Sequence, residues 1–256
     1  MNSKSMGKKK YIFTIASIII ALLVWQLISS SVAGAVIASP ADVLKSFVRE
    51  ISNGKLLNHI GISLFRVLSG FGLAFVISIP IAFLMGWYQP VQLLIEPVIQ
   101  FVRNIPALAY IPLVVVAQGV GESAKITVIF ISTFLVMIIT VYQGVREVDQ
   151  TLIKAARVLG AKDKDIFLKV VIPASVPYIL VGMRLGLGAS LTTLIAAELT
   201  GSSSGLGQMI QEASLYFRMD IVMLGIILIG ITGLILNFIV SLIENKLTVW
   251  QEKKKR

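Results

Sequence analysis

The stretch DQTLIKAARVLGAKDKDIFLKVVIP, residues 149–173, is dense with charge, yet it lies between two segments too apolar for water to be their solvent. Asp149 is placed to cap a helix on which Leu152, Ala155, Ala156 and Leu159 fall near one face. Gly160 can supply the left-handed residue that ends this helix. A second short helix follows, with Ile166, Phe167, Val170 and Val171 apolar, and Pro173 marks the return to an apolar segment. Two alanines on one face allow close approach to another surface. The pattern predicts a rigid helix pair presented to a soluble partner.

The rest of the chain supplies the solvent in which this pair is held. Of 256 residues, 56% are hydrophobic and 14% charged, whereas a soluble domain is about a quarter charged. An integral membrane protein follows. Against 13 Asp+Glu stand 23 Lys+Arg, a formal charge of +10. Much of that charge sits at the termini and in residues 149–173, flanking apolar spans, so anionic headgroups explain it better than nucleic acid. The chain has no Cys and a single His, His59, which removes disulfides, thiol chemistry and His- or Cys-rich metal sites.

Crossing the hydrocarbon takes about 20 helical residues. Six runs meet this, approximately 11–29, 62–87, 93–117, 126–143, 172–194 and 221–243. The fold class expected is an all-α six-helix transmembrane bundle. Lys8 to Lys10, the 146–169 region and Lys253 to Arg256 carry the densest basic clusters, and an even number of crossings puts all three on the cytoplasmic side. Both termini are then cytoplasmic and 38–58 lies outside. The resulting division is a basic tail over 1–10, a first span with an external amphipathic helix over 11–58, a core over 59–245 with its loop at 146–172, and a second basic tail over 246–256. The first run also resembles a cleaved signal, with VAGA after it. Its apolar length, greater than the roughly 7–15 residues of a signal, favours a retained helix.

Three segments carry further detail. SPADVLKSFVREISNGK reads as a surface helix capped by Ser39, with Pro40 in its first turn and Val43, Leu44, Phe47, Val48 and Ile51 on an apolar face toward membrane or bundle. EPVIQFVRNIPALAYIPL carries Pro97, Pro106 and Pro112, breaks tolerated in lipid only where protein or a watery path re-satisfies the backbone. Arg103 there requires a partner such as Glu96 or a carbonyl. In the fifth run Gly182, Gly186 and Ser190 give one small-residue face, Arg184 again needs a partner or a hydrated path, and Glu198 marks the outer end before a Gly/Ser turn. Arg103, Pro106, Arg184 and Glu198 are the candidate pathway residues.

The charged stretch resembles the cytoplasmic signature of the membrane-spanning permeases of type I ABC importers: Glu-Ala-Ala, three residues, Gly, nine residues, Ile, one residue, Leu-Pro. Here the frame is Lys154, Ala155, Ala156, Gly160, Val170, Ile172 and Pro173, with Lys in place of Glu, Val of Ile and Ile of Leu. ASPADVLKSF, SLFRVLSGFGLAFVISIPIAFLMG, VRNIPALAYIPLVVVAQGVGESAK and AAELTGSSSGLGQMI are similar to the nitrate, sulfonate and taurine branch. The resemblance covers nearly the whole chain. It implies a bacterial inner-membrane importer: a permease homodimer, two cytoplasmic ATPases docked on Lys154, Ala155, Ala156, Leu159, Gly160, Ile166, Val170, Ile172 and Pro173, and an extracytoplasmic binding protein.

No G-x-x-x-x-G-K-[S/T] run occurs, so ATP must be bound by the partner subunits and this chain carries no cofactor. No nucleophile, base and orienter set suggests an enzyme. Two other classes also fit an apolar chain. A secondary transporter would carry internal repeats and embedded acidic groups, where only Glu96 and Glu198 come close. A receptor-like or structural protein has no use for the proline-broken third run. Arg66, Arg103 and Arg184 could favour an organic anion or pair between helices.

Overall fold

The computed structural model describes residues 3–31 and 37–248, without the side chains of residues 3–11. The side chains of the basic cluster at 8–10, the whole of the cluster at 253–256 and the signal-like VAGA segment after the first run lie outside that description. Every regular element among the described residues is helical: α1 (Ser3–Ser29), α2 (Pro40–Ser52), α3 (Lys55–Trp87), α4 (Gln89–Arg103), α5 (Tyr110–Gln118), α6 (Glu122–Arg146), α7 (Gln150–Val158), α8 (Asp163–Ile166), α9 (Ile172–Leu199), α10 (Leu206–Leu215) and α11 (Met219–Leu247). Five helices are long and apolar enough to cross a bilayer, and α4 with α5 makes a sixth crossing when the bent pair is counted as one span.

The third span is bent by 83° rather than straight. Its cause is local. Pro106 is extended (ψ 132°) and opens a 3₁₀ turn over Ala107–Ala109, and a residue ahead of proline avoids the helical region. The Tyr110 hydroxyl then donates to the Val102 carbonyl at 2.9 Å, tying α5 back to the end of α4, where the same carbonyl also accepts the Ile105 N–H. Pro97 sits inside α4, and Pro112 falls in the first turn of α5, where a missing N–H is tolerated.

Helix α6 runs between α3 and α9, and small residues set the spacing on both sides. A methyl group added at Gly186 of α9 would lie 2.8 Å from the Met137 side chain, and one at Gly70 of α3 would lie 2.6 Å from that of Ile129. The face made by Gly182, Gly186 and Ser190 is buried, and both glycines meet α6. None of the apolar window of α1 is buried against the rest of the chain; its Trp25 indole N–H donates to the Ala38 carbonyl at 3.0 Å.

Helix α2 forms as its sequence predicts: the Ser39 hydroxyl accepts from the Asp42 N–H, and Val43 and Ser46 are buried. It ends at Gly54, which takes φ +70°. Helix α3 starts at once, at Lys55, so the expected boundary at residues 58/59 falls inside a helix.

Pro173 does not interrupt the chain. From Asp163 the helix continues through a π turn, Phe167–Val171, into α9. In that wider turn the Ile172 N–H reaches the Phe167 carbonyl. The proline ring, which would crowd the carbonyl of residue 169 in a regular helix, is accommodated just beyond it.

Candidate functional site

Residues 149–173 form a projecting knob whose two sides differ. The Asp149 carboxylate accepts the Thr151 N–H at 2.7 Å and starts α7. That hydrogen bond holds the Asp149 carboxyl below its ordinary pKa. At the other end the Ala161 N–H bonds to the Ala156 carbonyl and the Gly160 N–H to that of Arg157, with Gly160 at φ +81°. This is a Schellman stop, and it fixes the angle at which α8 departs. Arg157 and Asp163 meet across the turn at 3.3 Å, but both are exposed and contribute little.

On the inner side Ile153 and Ile166 are buried with Phe83, Met85, Val145 and Val171. The Phe167 ring packs edge-on to Phe83 and against Trp87, with centroids 6.0 and 5.4 Å away. Ala156, Val170 and Ile172 are half-buried against the same core. On the outer side Val158 is 88% and Leu159 87% exposed, and Leu152 is half-exposed. Lys154, Ala155, Gly160 and Pro173 are exposed beside them. The sequence placed Ala155 and Ala156 on one contact face. In the fold Ala156 continues the Ile153 line, three residues on, and seats the knob. Val158 and Ile153 were not singled out from sequence; an apolar pair, Val158–Leu159, next to a helix-ending glycine was the available signal.

A second feature is a concavity of about 600 Å³ between the α4–α5 bend, α6 and α9. Arg103, Ile105 and Pro106 line one wall, and Ser132, Val136, Ile139, Thr140 and Gln143 run down α6. Arg103 does not pair with Glu96. That carboxylate instead accepts from Gln92 (2.8 Å) and the Tyr142 hydroxyl (3.0 Å). Arg184 lies elsewhere, on an exposed face, bonded to Ser241 at 3.0 Å and ion-paired with Glu244. Its partner on α11 accounts for it.

Glu198 is likewise no part of the cavity. Its buried side chain sits beyond the far end, accepting from Arg66 (2.7 Å), the Ser63 hydroxyl (2.7 Å) and the Gly207 N–H (2.7 Å). Arg66, also fully buried, grips both oxygens of Glu122 at 2.6 Å and donates to the Ser204 carbonyl. The Gly/Ser loop is held to α3 by two more bonds, Leu206 N–H to Ser63 and Gly205 N–H to His59 Nδ1. This cluster clamps α3, α6, α9 and α10 together. Glu122, contributed by the start of α6, went unnoticed in the sequence. Among the described residues no three His, Cys, Asp or Glu side chains converge on a metal position.

Residues 74–249 match the family described as binding-protein-dependent transport system inner membrane component. The chain belongs to this family. The permease is 49% identical to a "Probable ABC transporter permease protein" of Brucella abortus (strain 2308) over 229 residues, 90% of this chain and 91% of that one. It is 32% identical to the taurine transport system permease protein TauC of Escherichia coli (strain K12), over 93% of this chain and 89% of that protein. Its fold is similar to a chain of the MetNI methionine ABC transporter in an inward-facing conformation, with a TM-score of 0.68 at 20% identity over 78% of the permease and 99% of that chain. Its multi-pass architecture and its place in the sulfonate and taurine branch agree with the sequence motifs.

Proposed function

We propose that the permease is the membrane-spanning subunit of an ATP-driven importer, paired with a second copy of itself and with two cytoplasmic ABC ATPases. The solute is small, of the sulfonate, nitrate or taurine kind, and an extracytoplasmic binding protein delivers it. The observation that carries this reading is the knob. Val158 and Leu159 stand almost fully exposed on a base that Ile153, Ile166 and Phe167 fix to the bundle.

Large apolar side chains in water are costly unless a partner covers them. Because α7 is stopped by Gly160 and α8 runs unbroken into α9, a push on the knob is transmitted along a 37-residue helix to the cavity wall at Ala189 and Thr193. ATP-driven closure of the two ATPases thereby shifts the balance between two bundle arrangements. On this reading the knob side, both termini and the ATPases are cytoplasmic, the first helix is retained in the membrane, and the Arg66 cluster faces outward. The chain supplies no catalytic group; ATP is hydrolysed next door.

The test is reconstitution. Proteoliposomes containing the permease, its ATPase and its binding protein should take up solute only with ATP inside and binding protein outside. Uptake driven by an ion gradient without ATP would return the chain to the secondary-transporter class.

A further inference from the structure

The cavity beside the α4–α5 bend contains a charge that no described residue answers. Arg103 is exposed, and among the described residues it makes no hydrogen bond, ion pair or ring contact. Every other arginine described has a partner: Arg49 and Arg218 with Asp220, Arg66 with Glu122 and Glu198, Arg146 with Tyr142, Arg157 with Asp163 and Arg184 with Glu244. The cavity wall holds no carboxylate. Three of its hydroxyls add no competing demand, since Ser132, Thr140 and Thr192 each donate back to their own helix, to the carbonyls of Ile129, Val136 and Gly188. The free donors left are the guanidinium, the Gln143 amide and the Thr193 hydroxyl.

We propose that this concavity is a station on the solute route that binds a small oxyanion, with the Arg103 guanidinium gripping a sulfonate or carboxylate group and the Val136–Ile139 wall covering a short carbon tail. The inference rests on the importer reading above and assigns its solute a binding residue within the bundle. A planar guanidinium presents a fork of donors suited to two oxygens of such a group. An exposed guanidinium beside a cavity wall that holds no carboxylate attracts a ligand of opposite sign. The position also fits passage rather than storage: the cavity is open, and the bend at Pro106 that forms one wall joins two helices of different direction.

The permease has no cysteine, so a single introduced thiol is the one site of modification in this chain, followed on the permease band alone. In the purified complex with its ATPase, Thr140→Cys should be modified faster by the anionic reagent sulfonatoethyl methanethiosulfonate than by its trimethylammonium counterpart. The thiolate attacks the reagent's sulfenyl sulfur, forms a disulfide and releases methanesulfinate. Adding Arg103→Gln should lower the anion-to-cation rate ratio on the order of tenfold, and Arg103→Lys should keep most of it. An unchanged ratio in Arg103→Gln overturns the proposal, as does a thiol that neither reagent reaches. Nanodiscs separate a solute from a lipid headgroup. A solute station keeps its preference when phosphatidylglycerol is added to phosphatidylcholine, whereas loss of it assigns Arg103 to the lipid and overturns the proposal. Failure of the importer reading would appear differently, as ATP-independent uptake, while the rate ratio still decides the cavity.

Discussion

Arg66 of α3 and Glu198 of α9 form an ion pair of 2.7 Å with both side chains fully buried. They are 132 residues apart in sequence. Two charges taken out of water are stable only when their remaining donors and acceptors are filled. Here they are, by Glu122, Ser63, Ser204 and Gly207. The arrangement leaves no room at Gly205, where an added methyl would lie 2.3 Å from the Glu198 carboxylate.

Arg66→Met should therefore strand the fully buried Glu198 carboxylate and destabilise the permease by about 3–5 kcal/mol, whereas Glu198→Gln, which leaves Arg66 on Glu122, should cost about 1–3 kcal/mol. A thermal unfolding series in detergent checks this. Arg66→Met combined with Glu198→Met should recover part of the loss, since the carboxylate then left, Glu122, is half-exposed and can be solvated. Arg184→Gln, at an exposed pair, should cost less than about 1 kcal/mol.

Gly160→Val forces a β-branched residue into left-handed backbone, at a cost of about 1–2 kcal/mol or more to the turn. A methyl there meets nothing within 4 Å, so the strain is in the backbone alone. The variant should insert and fold as a membrane protein but lose most of its ATPase on purification. Lys154→Glu, at an exposed residue facing outward, should retain it.

The α7 cap gives a pH dependence. The folded Asp149 carboxyl titrates below its ordinary value because it accepts the Thr151 N–H. Its contribution is therefore complete above the ordinary aspartate range and is lost as pH falls through the lowered value. Protection of the 150–158 amides from hydrogen exchange should be constant near neutrality and fall in acid. Asp149→Asn should keep the cap without that acid loss, and Asp149→Ala should lose the cap at every pH.

What could be read from sequence was local. The Asp149 and Ser39 caps, the Gly160 stop and the Gly182–Gly186–Ser190 face each depend on neighbours within a few residues, and each formed where its pattern placed it. Charge partners were not legible in the same way. Glu122 for Arg66 and Glu244 for Arg184 lie 56 and 60 residues away, and no periodicity links them. Ala156 is half-buried against the core while Ala155 is exposed, because α7 is apolar on two sides, one seated on the bundle through Ile153 and one bare at Val158 and Leu159. The three prolines of the third span announced a break, yet only the fold gives its angle.

The central claim is that the bare side of the knob is covered by an ABC ATPase. Leu159→Cys, in a chain otherwise free of cysteine, should form one specific cross-link to the ATPase subunit when the native membrane is treated with a short bifunctional thiol reagent. Ile153→Cys, buried against the bundle, should form none. An adduct between Leu159→Cys and the ATPase, abolished by adding Gly160→Val, is the result the account predicts. A position 159 thiol that reacts freely with solvent while the assembled transporter imports solute would contradict it.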